Sequence, residues 1–397
     1  MADIRFMPLT GINTVAEDAA LQQSGEAPRL YVRDAVNVNF SEAGKASIRD
    51  GAELVTDITY KNLWQSPLHG DLFGTLGNDW VKIDPKDWSH EVLANVEVGR
   101  DSVSHEILNN LVSVATPAGI FTYDGSIAQR LTIITPPAPL VVSGSGSLDA
   151  GRYGLAVSWL RGSMESALSS MATVTVDGSG SVEVTMPLCF DSTVTGVRLY
   201  MTRPDGAELL RVGDYGVAHH ASITVMPKLG APSQFQHLSS MPTGRYLKYW
   251  RGRLITARAN VLRFSEAMAY HLHDERYAFV QMPQRITFVQ PVEGGIWVGQ
   301  VDHVAFLSGD SPNSLSISRK ASKAPVPDSA VLIPAEVIGS NLAGGGSMVA
   351  VWLASNGYVA GTSEGTLAEI HAGVMKGITA QSGTSVVLDR RIVTAVT

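Results

Sequence analysis

A chain of 397 residues with 45% apolar and only 17% charged side chains can build a large core, yet carries fewer charges than the roughly 25% of an ordinary soluble domain. Its net charge of −7 excludes a generic electrostatic grip on nucleic acid or anionic lipid over the whole surface. A single cysteine, Cys189, excludes an internal disulfide and a cysteine-built zinc cluster, while 38 glycines and 19 prolines favour short strands and tight turns over long helices.

Residues 1–30 read as an N-terminal arm. They lack a basic stretch followed by an apolar leader, and no run approaches the ~18 apolar residues of a membrane span, so a chain made and used in soluble form is expected. From residue 31 a β module recurs: an apolar strand, a tight turn and a second strand. The first copy runs Leu72-Phe73-Gly74-Thr75-Leu76, turns at Gly77-Asn78-Asp79 and continues Trp80-Val81-Lys82-Ile83. The second is Leu111-Val112-Ser113-Val114-Ala115 with Ile120-Phe121-Thr122-Tyr123. Later copies pair Arg253-Leu254-Ile255-Thr256-Ala257 with Val261-Leu262-Arg263-Phe264, Ile296-Trp297-Val298 with Val304-Ala305-Phe306-Leu307, and Val349-Ala350-Val351-Trp352-Leu353 with Gly357-Tyr358-Val359-Ala360. The copies recur at the ~40–50-residue spacing of four-stranded propeller blades, which bury their faces against one another.

Between the second and third copies the spacing is about three times too long. The stiff Thr135-Pro136-Pro137-Ala138-Pro139 opens this interval, since each proline fixes its own φ and restricts the residue before it. Seven short strands follow, with Ser143-Gly144-Ser145-Gly146-Ser147, Asp177-Gly178-Ser179-Gly180 and Pro204-Asp205-Gly206 read as turns. That is the pattern of an immunoglobulin- or fibronectin-type sandwich. The expected fold class is therefore all-β: a β-propeller of about six blades, in two parts (31–137 and 228–397), with a sandwich inserted at 138–227. A plain β-sandwich or an irregular solenoid is the alternative. Val386-Val387-Leu388 and Ile392-Val393-Thr394-Ala395-Val396 are expected to close the ring against an early strand such as Leu30-Tyr31-Val32-Arg33.

Three segments, in order, resemble bacteriophage tail hub and nozzle propellers that carry an inserted fibronectin-like domain. The first is Arg33-Asp34-Ala35-Val36-Asn37-Val38-Asn39-Phe40 followed by Gly44-Lys45-Ala46-Ser47-Ile48-Arg49-Asp50-Gly51. The second is Gly151-Arg152-Tyr153-Gly154-Leu155-Ala156-Val157, then Glu165-Ser166, then Val197-Arg198-Leu199-Tyr200-Met201-Thr202. The third is Gly252-Arg253-Leu254-Ile255 running into Leu262-Arg263-Phe264-Ser265-Glu266. The chain lacks the length for the extra distal domains of the larger nozzle proteins. The resemblance implies a structural ring subunit of a virion tail or neck, made in the host cytoplasm, without catalysis. Its partners would be itself (a six-fold ring, or a trimer in a long-tailed phage), adjacent tail, portal, adaptor or fibre proteins, and passing genome DNA.

Catalytic patterns are weak. Gly361-Thr362-Ser363-Glu364-Gly365 spells a nucleophile elbow, but the residues after it read as a strand where a helix is needed. His271 and His273, with Asp274 and Glu275, or the pair His219-His220, could supply metal ligands but lack a third nearby. The acidic residues Asp71, Asp79, Asp84, Asp87 and Glu91 single out no pair for glycoside hydrolysis. No catalytic residue, metal or cofactor is assigned.

One stretch stands out by charge: Arg245, Lys248, Arg251, Arg253, Arg258 and Arg263 occur without an intervening acid and are interleaved with Tyr246, Tyr249 and Trp250. It reads either as a face for passing DNA or an acidic partner, or as a polar blade face whose arginines lie over aromatic surface. Two functions from different classes are carried: a ring-forming tail protein, and a receptor- or glycan-binding tail-tip propeller using Trp80, Trp88, Trp297 or Trp352 as sugar platforms. The low charge content suits the first, because interfaces are depleted in Lys, Glu and Asp.

Overall fold

A computed structural model describes residues 8–397 except 24–27, 42, 52, 99–102, 339–345 and 389–390. Parts of the expected N-terminal arm, residues 1–7 and 24–27, lie outside the described residues. Among those described, helix is limited to three single 3-10 turns, Asp18–Ala20, Pro312–Ser314 and Ala335–Val337, and the fold is all-β.

Among the described residues, five sheets are four-stranded antiparallel meanders of the propeller-blade type. Blade 1 comprises Lys61–Gln65, Leu72–Leu76, Asp79–Ile83 and His90–Asn95; blade 2 comprises Ser104–Leu108, Leu111–Thr116, Gly119–Tyr123 and Ala128–Arg130. Blade 3 is built from Arg245–Trp250, Arg253–Arg258, Val261–Phe264 and Phe279–Gln281. Ile286–Val292, Gly295–Gln300, Val304–Ser308 and Ser316–Lys320 form blade 4, and Val331–Pro334, Met348–Ala354, Gly357–Gly361 and Leu367–Glu369 form blade 5. In each blade the two middle strands are mostly buried while the last strand holds no buried residue. That is why the middle strands read in sequence as predominantly apolar runs.

The chain divides into two compact units: residues 1–59, 259–261 and 281–397, and residues 60–258 with 262–280. In the first, blades 4 and 5 share a core of Phe288, Trp297, Phe306 and Trp352. The two tryptophan rings lie 5.4 Å apart, and Trp297 Nε1 donates to the Thr362 carbonyl at 2.9 Å.

In the second unit blades 1 and 2 bury an aromatic cluster of Phe73, Trp80, Phe121 and Tyr123. His105 lies within it, its ring stacked on Trp64 at 5.2 Å and an interplanar angle of 5°. Blades 2 and 3, separated in sequence by the insert, pack through Leu108, Ile120, Leu247 and Leu254. Thr243 Oγ1 donates to the Thr116 carbonyl at 2.6 Å across the same seam.

The insert is a two-sheet sandwich. One sheet orders Leu140–Leu148, Gly180–Thr185 and His220–Ile223; the other orders Met164–Glu165, Gly151–Arg161, Gly196–Met201 and Leu210–Tyr215, with Ala172–Val176 also pairing on Gly151–Arg161. Tyr153, Leu155, Val157, Val182, Val184, Val197 and Leu199 fill the space between them.

Two expectations need correction. The Ser-Gly repeat 143–147 is no turn but the middle of a strand. Glycine is needed there because a Cβ on Gly146 would stand 2.4 Å from the Gly180 carbonyl oxygen, so composition that looks like a linker records a close approach of two backbones. The C-terminal strands Gly383–Leu388 and Arg391–Val396 pair only with each other among the described residues. Arg29–Val32 cannot receive them, since Leu9–Ile12 and Gln22–Gln23 already occupy its two edges.

Candidate functional site

The basic stretch lies on blade 3, five residues on its strands and Arg251 in the turn between the first two, at φ +45°. Cross-strand register, with a bulge between Arg245 and Lys248, sets Arg245, Lys248 and Arg253 on one sheet face and Arg258 on the other. The Arg245 guanidinium lies 5.1 Å from the Tyr246 ring and that of Arg251 lies 5.8 Å from Trp250. Lys248 Nζ stands 3.9 Å from Glu106 on blade 2. Arg253 Nη1 donates to the Ser265 carbonyl at 2.7 Å and lies 3.8 Å from Glu266. Arg263 is half-buried, and Arg251 and Arg258 are exposed. The stretch is thus split between two faces, and much of its charge is turned to neighbouring acids, carbonyls and rings.

A second constellation gathers residues that the sequence had placed far apart. Register sets Ser158 opposite Arg198 and Arg198 opposite Asp214 on three adjacent sandwich strands, with Glu165 on the neighbouring edge strand. The buried Glu165 carboxylate accepts from the Ser158 and Tyr200 hydroxyls, each at 2.6 Å, and from Arg198 Nη1. Arg198 forks onto Asp214 with bonds of 2.7 and 2.9 Å, and Arg211 adds a third at 2.8 Å. Hydrogen bonds from Arg198 hold the Asp214 carboxyl below the usual range. Burial, followed by the Glu165 carboxylate, raises the Tyr200 hydroxyl. Both Glu165 oxygens are engaged by protein donors, so the cluster is built to hold sheet geometry. Glu165, Arg198 and Tyr200 stood in the second of the segments that resemble tail hubs; Ser158 and Asp214 did not, and no local pattern marks them.

The residues tested for chemistry lie apart. His271 Nε2–H donates to the Glu165 carbonyl at 2.9 Å and His273 Nδ1–H to that of Phe264 at 2.8 Å. Burial lowers the pKa of both rings. His219 stacks on Tyr215, while His220 lies between Glu183 and Thr185, each 3.2 Å away. Ser363 sits in a strand-to-strand turn closed by Thr362 N–H to the Thr366 carbonyl, so the helix an elbow requires is replaced by the strand Leu367–Glu369. Trp80, Trp297 and Trp352 are fully buried. Trp88 is half-buried in the turn joining the last two strands of blade 1, at φ +59°.

Where the proline linker meets the sandwich, Ile133, Ile134, Pro137, Trp159, Leu188 and Phe190 line an open cleft of about 180 Å³. Its rim is bare: Phe190 is 96% exposed.

No protein-family model matches the chain, and no curated protein matches its sequence. Among solved structures it is similar to the N-terminal part of BBS1 in complex with ARL6, with a TM-score of 0.34, 9% identity, and 85% of this chain and 90% of that one covered. It also resembles Sqt1 of Saccharomyces cerevisiae, at TM-score 0.21 and 8% identity over 71% and 78% of the two chains. The extracellular domain of BT4673 from B. thetaiotaomicron matches at TM-score 0.21 and 13% identity over 76% of this chain and 34% of that one. Scores of this size assign neither family nor function. No helix among the described residues is long and apolar enough to cross a membrane.

Proposed function

We propose that the chain is a structural virion protein that forms a closed homo-oligomeric ring, six-fold in symmetry, in the tail or neck of a bacteriophage, where it continues the DNA conduit and docks neighbouring tail proteins. The observation that carries this reading is apolar surface laid bare on ordered strands. In the C-terminal hairpin Val386, Leu388 and Val393 are 53%, 61% and 44% exposed. Exposed apolar side chains side by side on a paired hairpin invite association. The resemblance of three ordered segments to tail hubs supports the same reading. DNA contact would fall to the exposed Arg251 and Arg258, acting as scattered charges rather than a binding groove.

The glycan-binding alternative gains nothing from Trp80, Trp297 and Trp352, whose rings are closed off from solvent. Light-scattering mass and electron-microscopy class averages of the purified chain test the proposal. The expected particle contains several 42.3 kDa copies around a channel, with six-fold averages; three-fold averages would move it to a long-tailed phage. A monomer at tens of micromolar that also fails to join virions overturns it.

A further inference from the structure

Two features of the first unit are each unfinished and fit one another. The hairpin of Gly383–Leu388 and Arg391–Val396 has one face against its own unit: Ser385 Oγ donates to the Ser329 carbonyl at 2.5 Å, Tyr358 OH meets Thr394 Oγ1 at 2.7 Å, and Ile392 joins the core of blade 5. Register puts Thr384, Val386 and Leu388 on the opposite face, beside Ala395, Val393 and Arg391. All six are exposed. No third strand pairs with the hairpin among the described residues; the Ile392 carbonyl accepts a long bond from Tyr358 OH at 3.4 Å, and no strand covers the rest of Arg391–Val396.

The second feature is the stretch 53–58, which belongs to no sheet although it carries Leu54, Val55 and Ile58, exposed by 78%, 60% and 38%. It contains the acids Glu53 and Asp57, whereas the sequence that leads into the second hairpin strand, Asp389-Arg390-Arg391, is net positive. An unpaired apolar segment with negative ends and an open apolar edge with a positive end are the two halves of a strand addition, in which backbone bonds give affinity and alternate side chains give register.

We infer that residues 53–56 of one copy add as a strand to the Arg391–Val396 edge of the next copy, joining neighbours head to tail. Leu54 or Val55 lies beside Val393, and the acid at the end of the added strand, Glu53 or Asp57, comes toward Arg391. Donor and acceptor are different surfaces, so the contact is heterologous and propagates around a ring. The inference rests on the self-assembly reading above.

Three variants of the full chain test it. Val55→Pro removes a strand N–H and restricts Leu54, with Leu54→Glu as a second donor lesion; Val393→Lys charges the acceptor face. Each variant alone is expected to run as a monomer with wild-type circular dichroism. An equimolar mixture of V55P and V393K restores one intact junction and is expected to yield dimers and nothing larger. If all the variants keep the wild-type mass, or the mixture stays monomeric, the inference falls while the ring reading stands. A monomeric wild-type chain removes both.

Discussion

His105 provides a quantitative test of how blades 1 and 2 are held together. Its ring lies among Trp64, Phe73, Trp80 and Tyr123, and its Nε2 is buried without a hydrogen-bond partner. Burial alone lowers its pKa to about 3, from an ordinary value near 6.5. Between these values the unfolded chain binds a proton that the folded chain refuses. The stabilising contribution of the neutral ring is therefore complete above pH 6.5 and is lost as pH falls toward 3. The two pKa values give a loss of about 2 kcal/mol at pH 5 and about 3 kcal/mol at pH 4, relative to pH 7.5. His105→Phe keeps an aromatic ring against Trp64 and removes the titration. Equilibrium urea unfolding, followed by tryptophan fluorescence from pH 7.5 to 4, should show wild type losing this much more stability than the variant. The comparison cancels the buried His271, His273 and His371, whose pKa values are also lowered by burial. Parallel curves for the two proteins would refute the assignment of a neutral, dry His105.

Two further outcomes concern the sandwich. Glu165→Ala leaves two buried hydroxyls without their acceptor, while Arg198 keeps Asp214, and should cost about 2–4 kcal/mol in chemical denaturation, whereas Tyr200→Phe should cost only about 1 kcal/mol. Gly146→Ala drives a Cβ onto the Gly180 backbone and should cost about 1–3 kcal/mol, while Gly216→Ala, with open space around it, should stay within about 0.5 kcal/mol of wild type in the same assay.

Much of the blade structure was legible because its middle strands are buried on both faces, and such strands write themselves as apolar runs between turn residues. Trp80, Trp297 and Trp352 could be taken as core on that ground. Trp88 could not, since a single aromatic residue in a turn has no periodicity to read. The Ser-Gly strand was misread because the same composition serves a flexible linker and a tight backbone crossing, and only the neighbouring Gly180 tells them apart. The Glu165 cluster was half legible. Arg198 and Tyr200 share a strand, but their partnership with Ser158 and Asp214 depends on a three-strand register that no local pattern encodes. The six basic residues looked like one patch because sequence adjacency hides the reversal of the chain at Arg251 and the alternation of strand faces.

The seam between blades 2 and 3 also bears on how the chain is made. Arg130 ends one blade and Arg245 begins the next, about 115 residues later, and joining them as a flexible loop would cost about 4 kcal/mol of chain entropy. Once the sandwich has folded, only about 30 residues of that span remain loose, and the cost falls by about 1 kcal/mol. During synthesis the whole sandwich is translated before Arg245, so the insert can order itself first and deliver blade 3 to its partner. On this account a chain carrying a destabilised sandwich should join blade 3 to blade 2 more slowly even where its finished blades are intact.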